Sequence, residues 1–435
     1  MGLMQNNTGA ALRLPREDNR RSDRLIVCAL LLGVVIYQAL LFWNSSRVAM
    51  KGNADFIIFY TAGRIVASGS REALYDYELQ RKLELEISPR YQRALVYNHP
   101  PFEALLFTPL ARLPYRRAYI CWLLVNLSLL CVLPVLLWRH LKFASQSLPE
   151  LLYLSFFSFF PILSALLQGQ DSILLLLLAT LAFVGLREGK EFRAGCYWGL
   201  GLFRFPIVLP IAVLFLFRRR VRFLLGLLTV GTLFSVLSLA VVGYKGCLDY
   251  IDVLHKFMHN PAEQQLWSWS VNPTSMPTLR GFLASSLPNS WPQAAKTGFY
   301  LVFATLIVLG ITTLHKTSQE KRTLSPLLYG LDLVAALMLS YHSFLHDGAL
   351  LILPLLFCID YLQSPAASPR AHKSMGGVVA LLLLPLIYLA LLVQGKLFLL
   401  FPVFLTLAAL MWYEIRSQHN VSPLVPESDS LTGKD

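Results

Sequence analysis

Residues 25–43 read LIVCALLLGVVIYQALLFW, and they are the clearest indication of the fold class. It contains no charged residue, and its length approaches the roughly 20 apolar residues that a helix needs to cross a bilayer. Arg20, Arg21 and Arg24 precede it. The run is too long for the core of a signal peptide, and no small-residue cleavage site follows it. We therefore expect a retained signal-anchor helix.

The composition extends this expectation to the whole chain. Of its 435 residues, 55% are hydrophobic and only 14% are charged, and the mean hydropathy is +0.55. A soluble domain would have roughly 25% charged residues. Apolar runs predict about ten full transmembrane helices, near residues 25–43, 118–138, 150–167, 172–187, 223–243, 298–315, 325–342, 347–362, 376–393 and 397–413. The sequence thus indicates an all-α polytopic membrane protein.

The basic residues predict the orientation of these helices. The net charge is +13, but Lys and Arg lie mostly in short loops, as the positive-inside rule describes. We therefore expect membrane lipid, and no nucleic acid, as a partner. All basic clusters lie on the cytoplasmic side of the membrane if both termini are cytoplasmic. The prediction is a polar N-terminus (1–23), a single transmembrane domain (24–416) with external loops 44–117 and 244–297, and a disordered tail (417–435).

Residues 194–217 do not fit a simple count of spans. They are apolar, yet basic clusters flank both ends, and Arg204, Pro206 and Pro210 lie near the middle. Two half-helices that enter and return from the cytoplasmic face would satisfy both clusters. The alternative is one kinked span that violates the charge rule. An Arg inside a membrane segment marks a functional site, unless Arg204 reaches the cytoplasmic interface instead.

The first external loop carries the main candidate for catalysis. Asp55 follows the first span closely, where a partly desolvated carboxylate could take the proton of an acceptor hydroxyl. Asp is also a preferred helix cap, so Asp55 could instead cap a helix that begins at Phe56. Further along, residues 78–86 predict an amphipathic helix with Leu79, Leu83 and Ile87 on one face.

Other polar residues are candidates for ligand binding. His342 and His346 would share one helix face. With His99 they could bind zinc, but donors for a phosphate or a sugar are the better interpretation. Gln170 could contact a ligand, whereas Asp171 is expected to cap the next helix. In the second loop, Trp269 could stack on a sugar and Asn272 could bind hydroxyls, although Trp is also common at membrane interfaces.

The ordered set of motifs resembles glycosyltransferase family 87. The resemblance rests on Asp55-Phe56, Tyr60, Ala62-Gly63, Leu74-Tyr75-Asp76, Tyr97, Pro100-Pro101, Pro109-Leu110, Gly169-Gln170, Ala194-Gly195, Gly199, Arg204, Pro206, Ser275, Gly281, His342, His346 and Asp347. It covers about residues 52–360. Relatives often carry Lys where this chain has Arg204, and Trp near the histidines where it has Tyr341 and Phe344.

The resemblance implies a GT-C membrane fold and an inverting hexosyltransferase, mannosyltransferase-like, in the bacterial cytoplasmic membrane. The donor would be a polyprenyl-phosphate sugar, and the acceptor an external glycolipid, polysaccharide or protein. The resemblance makes Asp55 the general base. Donor phosphate or sugar would bind to His342, His346, Arg64, Arg204, Arg280, Gln170 and Asp347. Tyr60, Tyr97, His99, Trp269 and Asn272 would form the acceptor site or the cavity wall. No metal or other cofactor is expected.

Two other classes of function stay open at this point. A transporter or flippase of lipid-linked sugars would share broken helices and charges within the membrane. The absence of an internal repeat argues against it. A non-catalytic membrane scaffold gives no reason for the ordered polar residues in both external loops.

Overall fold

Helices account for nearly all of the regular structure. In a computed structural model, the described residues are 17–89, 95–141, 149–259, 272–288, 290–314 and 324–421, and they contain no β-strand. Seven helices in these ranges are long and apolar enough to cross a membrane, or up to nine if two bent pairs each count as one span. The chain is therefore a polytopic, all-α membrane protein.

The helices of the first half include the elements of the first loop. They are α1 (Glu17–Ala49), α2 (Phe56–Ala67), α3 (Tyr77–Ile87), α4 (Ala104–Phe107), α5 (Tyr115–Leu137), α6 (Pro149–Phe157), α7 (Phe160–Gln168), α8 (Ser172–Arg187), α9 (Glu191–Leu200), α10 (Phe205–Phe217) and α11 (Val221–His259). A left-handed residue, Gly243, with φ of 69°, bends α11. Glycine adopts this conformation without a steric penalty.

The second half continues the bundle. Its helices are α12 (Leu279–Ser286), α13 (Gln293–Thr312), α14 (Pro326–Leu339), α15 (Ile352–Leu362), α16 (Pro369–Leu383), α17 (Pro385–Val393) and α18 (Leu400–Val421). Short 3₁₀ turns precede several of them, including Gly201–Arg204 before α10 and Leu345–Leu351 before α15.

Helices α9 and α10 form the predicted re-entrant pair. By length and composition alone, Glu191–Phe217 also qualifies as a single span. However, Arg220, just after α10, forms an ion pair with Glu191 at the start of α9. A straight helix of 27 residues would hold its ends about 40 Å apart. The chain therefore folds back at Gly201–Arg204, and the alternative of one kinked span is excluded.

Two glycines allow the re-entrant pair to lie directly against α11. A Cβ atom on Gly195 would lie 1.9 Å from the carbonyl oxygen of Phe223, and one on Gly226 would lie 2.0 Å from that of Phe192. Small residues let helix backbones approach closely within a membrane. The chain turns at Gly201–Arg204, so Arg204 lies at the opposite end of the pair from the basic residues that flank α9 and α10.

The remaining apolar helices correspond to the ten predicted segments, with two corrections. Apart from the re-entrant pair and the short helix α2 of the first loop, they comprise six long helices, two bent pairs and the shorter apolar helices α8 and α14. Predicted spans 150–167 and 376–393 are not straight. They bend by 57° between α6 and α7 and by 60° between α16 and α17. Pro161 and Pro385 lie in the first turns of α7 and α17, where proline favours a new helix start.

The first external loop is a packed unit with its own buried core. Helix α2 is buried along almost its entire length, and its side chains form one hydrophobic cluster with Tyr75, Tyr97 and Phe107. The predicted amphipathic helix exists as α3, but its apolar residues pack against this cluster. Gln80 and Glu84 are the most buried residues of α3, and they bind the segment at Leu95 to Tyr97.

Candidate functional site

Polar residues from four separate segments meet at the end of the bundle where the first loop lies. Asp55 begins α2, Gln170 and Asp171 form the turn between α7 and α8, Arg204 ends the re-entrant turn, and Asp347 lies in the 3₁₀ turn before α15. Arg204, Asp171 and Asp347 are 6%, 0% and 0% exposed. These charges therefore interact in a largely water-free environment, which strengthens each contact.

The turn that carries Gln170 is fixed by its neighbours. Gly169 has φ of 63°, and a Cβ atom there would lie 2.7 Å from Cβ of Phe56. Trp122 donates to the carbonyl oxygen of Gly169 at 2.9 Å, and Tyr119 donates to that of Leu166 at 3.1 Å. Glycine is required both for the left-handed conformation and for the close approach. The turn thus holds Gln170 directly beside the start of α2.

Gln170 connects Asp55 to Arg204. Its Nε2 donates to Oδ2 of Asp55 at 2.6 Å, and its Oε1 accepts a hydrogen bond from Arg204. The backbone N–H of Asp55 donates to Oε1 of Gln168 at 3.1 Å. Although Asp55 occupies the cap position of α2, its side chain makes no capping hydrogen bond. The carboxylate is therefore available for a role other than capping.

Arg204 binds two buried carboxylates. Its Nε donates to Oδ1 of Asp171 at 2.6 Å, and its Nη1 lies 3.7 Å from Oδ1 of Asp347. Asp347 also accepts hydrogen bonds from Ser172 Oγ at 3.1 Å and from the N–H of Phe344 at 2.9 Å. The alternative in which Arg204 reaches the cytoplasmic interface is therefore wrong. Asp171 is likewise not a side-chain cap, because it makes no capping hydrogen bond.

The two histidines lie close together but do not share a helix face. His342 lies in the bend after α14, whereas His346 belongs to the 3₁₀ turn. The ring of Phe344 contacts both, with centroids 4.8 Å from His342 and 5.9 Å from His346. The Nε2 atom of His346 lies 3.5 Å from Oδ2 of Asp347. The prediction of a helical histidine pair is therefore wrong, although both residues reach the site.

A cavity of about 480 Å³ begins at this cluster. Arg204, Arg280, His342 and His99 line its polar end. Arg280 stacks on Tyr341, with its guanidinium carbon 3.9 Å from the ring centroid, and donates to the carbonyl oxygen of Tyr341 at 3.1 Å. The remaining wall is mostly apolar and comes mainly from α10 and α13, namely Phe205, Pro206, Leu209, Pro210, Val213, Phe217, Leu301, Ala304, Thr305, Val308 and Leu309.

The sequence did not single out Glu103, which the structure places beside His99. Oε2 of Glu103 lies 2.8 Å from Nδ1 of His99. Burial raises the pKa of Glu103 to about 7 and lowers that of His99 to about 4. Oδ2 of Asp171 and Oε1 of Glu103 are buried and accept no hydrogen bond from the described residues. The signal available in the sequence was a lone acidic residue, four positions after a histidine, in an otherwise apolar stretch.

The structure does not bring every predicted residue to the cavity. Arg64 pairs with Glu86 on the loop surface at 3.1 Å. It lies more than two helical turns from Asp55 along α2 and does not line the cavity. Asn272 accepts a hydrogen bond from the N–H of Thr274 at 3.1 Å as a helix cap. Trp269 lies outside the described residues.

Tyr60 and Tyr97 serve as anchors of the first loop. The hydroxyl of Tyr60 donates to the carbonyl oxygen of Leu113 at 2.7 Å, and that of Tyr97 donates to the carbonyl oxygen of Pro100 at 3.0 Å. Neither lines the cavity, whereas His99, four residues before Glu103, does. Both tyrosines therefore anchor the first loop without direct contact with the cavity.

Comparison with known proteins assigns the family. The sequence model of glycosyltransferase family 87 matches residues 97–346, which is more than half of the chain. The matched range includes Gln170, Arg204, Arg280 and both histidines. No curated protein and no solved structure matches the chain. The matched range contains most of the polar cluster and most of the cavity wall. The protein is therefore a membrane glycosyltransferase that belongs to glycosyltransferase family 87.

Proposed function

We propose that the protein transfers a hexose, with mannose as the first candidate, from a polyprenyl-phosphate sugar to an acceptor on the outer face of the membrane. The observation that carries this proposal is the cavity, which is apolar along most of its wall and cationic at one end. A polyprenyl-phosphate sugar has the same division between a long apolar chain and an anionic head. A nucleotide sugar would leave the apolar wall without a partner.

The apolar part of the cavity suits the lipid chain. Residues of α10 and α13 that line it also face outward, since Leu209 is 50% exposed and Leu301 is 58% exposed. In a membrane, these surfaces contact lipid. A lipid-linked donor could thus enter sideways from the bilayer between α10 and α13, without crossing water. This route supports a donor that resides in the membrane.

The polar end of the cavity suits the phosphate. Arg204 and Arg280 provide two guanidinium groups, and His342 lies beside them. Guanidinium groups bind phosphate oxygens with paired hydrogen bonds. When the sugar–phosphate bond breaks, negative charge builds up on the leaving phosphate. Fixed cations at this position stabilise that charge, and such stabilisation often contributes more to catalysis than any other effect.

Asp55 is our candidate for the general base. It would take the proton of the acceptor hydroxyl as the hydroxyl oxygen bonds to the anomeric carbon. The bond from that carbon to the phosphate oxygen would break on the opposite face. Polyprenyl phosphate would leave, and the configuration would invert. Asp55 does not line the cavity itself, but Gln170 connects it to Arg204 at the cavity's polar end. The acceptor would approach from the Asp55 side.

The proposed orientation follows from the charge pattern. The cluster lies at one end of the bundle, and Glu191, Arg218 and Arg220 lie at the other end. If basic loops are cytoplasmic, then the cluster faces outward and both termini face inward. We further propose a bacterial cytoplasmic membrane and a GT-C-like arrangement, with a glycolipid, polysaccharide or protein as the acceptor.

Transfer by the purified protein tests the proposal. The protein would be reconstituted in phosphatidylethanolamine and phosphatidylglycerol vesicles with radiolabelled polyprenyl-phosphate mannose and membrane glycolipids. We expect transfer by the wild type, and Asp55→Asn should lower its rate by about 10²- to 10⁴-fold. Asp249→Asn, which removes an exposed carboxylate on α11, should retain the rate. Undiminished transfer by Asp55→Asn would refute the base assignment, and lipid movement without transfer would favour a flippase.

A further inference from the structure

His99, Glu103 and Asp171 form a compact group of metal-ligand type. One ligand atom from each lies within 4.8 Å of the others. A Zn²⁺ ion bonded to imidazole nitrogen and carboxylate oxygen at about 2.0–2.2 Å brings its ligand atoms to roughly 3–4 Å from one another. In the structure, Nδ1 of His99 and Oε2 of Glu103 lie 2.8 Å apart, and all three ligand atoms lie within 4.8 Å of one another. Small side-chain movements would therefore place them around an ion.

The charges around this group leave a deficit of positive charge. Glu103, Asp171 and Asp347 are 2%, 0% and 0% exposed. Among the described residues, Arg204 is the one Arg or Lys whose side chain forms an ion pair with any of these carboxylates. Arg204 is already bound to Asp171 and lies near Asp347. Glu103 has no such partner, because its ion-pair contact is with His99. With all three carboxylates ionised, one guanidinium leaves two negative charges. Because burial raises the pKa of Glu103 and of Asp171, either bound protons or one divalent cation would balance these charges.

This same group contains buried carboxylate oxygens that lack a hydrogen bond in the described part of the chain. Oδ2 of Asp171 and both carboxylate oxygens of Glu103 are buried and accept no well-formed hydrogen bond from the described residues. The His99 ring, the Asp171 carboxyl and the Tyr97 hydroxyl all lie close to the Glu103 carboxyl. A buried carboxylate without a partner is costly. Two adjacent carboxylates can share a proton instead, and the experiment below distinguishes this from an ion. An ion would engage all three side chains at once.

We propose that His99, Glu103 and Asp171 bind one divalent transition-metal ion, of the Zn²⁺ or Mn²⁺ type, in the wall of the cavity. One imidazole nitrogen and two carboxylate oxygens match the preferences of these ions. The ion links the loop segment at His99–Glu103 to the start of α8. Since His99 also lines the cavity, the ion lies beside the polar end where Arg204 and His342 are found. This inference goes beyond the transferase scheme, which does not use a metal.

Metal content measures this site independently of activity. Detergent-purified protein would be stripped of metal with EDTA and dialysed against micromolar ZnCl₂ or MnCl₂. Its metal content would then be measured by inductively coupled plasma mass spectrometry. We expect about one ion per chain in the wild type and an affinity at least about 10- to 100-fold weaker in Glu103→Gln. Glu84→Gln is the matched control, because it changes a buried carboxylate of the same loop that lies outside the group.

Two results would overturn the proposal. The first is a wild-type protein that binds no more Zn²⁺ or Mn²⁺ than Glu103→Gln does. In that case Glu103 and Asp171 share a proton. Should Glu103→Gln fail to fold, electron spin echo spectroscopy of Mn²⁺ bound to the wild type replaces it. An imidazole nitrogen signal is expected there, and its absence would be the second contrary result.

Discussion

The side-chain amide of Gln170 lies between Asp55 and Arg204, with its Nε2 atom 2.6 Å from Oδ2 of Asp55. Its carbonyl oxygen accepts from the guanidinium, and this fixes which end of the amide faces the carboxylate. Gln170 therefore holds the Asp55 carboxylate in one orientation. We regard it as a positioning residue for the proposed base.

Replacing Gln170 with Ala should lower the rate of transfer in protein that still folds, with a smaller loss of stability than Arg204→Ala causes. Asp55 would lose its orienting hydrogen bond, and misplacement by about 1 Å can cost roughly 10²-fold in rate. Because the donor contacts are retained, the change should appear in kcat rather than in KM. Steady-state kinetics in vesicles would measure both. Gln394→Ala, at an exposed amide, is the control, and an unchanged kcat in Gln170→Ala would argue against the positioning role.

Loss of Arg204 should reduce stability. Arg204→Ala leaves Asp171 and Asp347 without their cation in a buried environment, which costs about 3–5 kcal/mol. Arg204→Lys keeps the charge but cannot reproduce the contacts with Gln170 and Asp171 at once, so an intermediate effect is expected. Thermal unfolding followed by intrinsic fluorescence would measure the change. The control is Arg222→Ala, which removes an exposed charge, and equal Tm values for both alanine variants would contradict the prediction.

Close packing of the re-entrant pair makes its glycines sensitive. Gly195→Ala places a methyl group into the backbone of Phe223, so α9 and α11 must separate. We expect destabilisation by about 1–3 kcal/mol, as for other overpacked sites, and a lower yield of folded protein in detergent. Gly33→Ala is the control, since nothing lies within 4 Å of a Cβ atom there. Equal thermal stability of the two variants would show that α9 does not lie where we describe it.

The apolar wall of the cavity offers a test of the lipid site. Ala304→Trp fills the cavity between α10 and α13 and should raise KM for a long-chain polyprenyl-phosphate sugar by about 10-fold or more, equivalent to at least about 1.4 kcal/mol. A short-chain, water-soluble donor analogue should be affected much less. Val302→Trp, on the outward face of the same helix, provides the comparison. If both donors responded equally to Ala304→Trp, the lipid chain would lie elsewhere.

Glu84 should make the stability of the first loop depend on pH. Burial raises its pKa to about 8 in the folded protein, whereas an unfolded glutamate has a pKa of about 4.3. The folded state therefore retains a proton that the unfolded state releases, and stability falls as pH rises between these values. The contribution reaches about 1.4 kcal/mol per pH unit.

Glu84→Gln should remove this dependence. The amide oxygen can still accept the hydrogen bond from the N–H of Leu95, which Oε2 of Glu84 accepts at 2.8 Å. We expect the Tm of the variant to exceed that of the wild type by an amount that grows from pH 5 to pH 8. Glu78→Gln, on the exposed side of the same helix, should follow the wild type. Parallel curves for Glu84→Gln and the wild type would rule out this account.

The sequence alone determined the membrane character, the ten apolar segments and the position of Asp55 after the first span, because hydropathy and charge act locally along the chain. It also favoured a re-entrant pair at residues 194–217, since basic clusters at both ends cannot lie on opposite faces without cost. The bends before Pro161 and Pro385 were missed, because helix direction depends on packing as well as on proline.

Which polar residues meet follows from tertiary packing and not from the sequence pattern. The partners of Arg204 lie 33 and 143 positions away in the chain, at Asp171 and Asp347, and no periodicity in the sequence relates them. The same holds for Glu103 and Asp171, which come together because the first loop packs over the start of α8. Arg64 looked equivalent to the other basic residues in the sequence, yet it lies on the loop surface. Long-range packing, rather than local pattern, assigns each of these charges its partner.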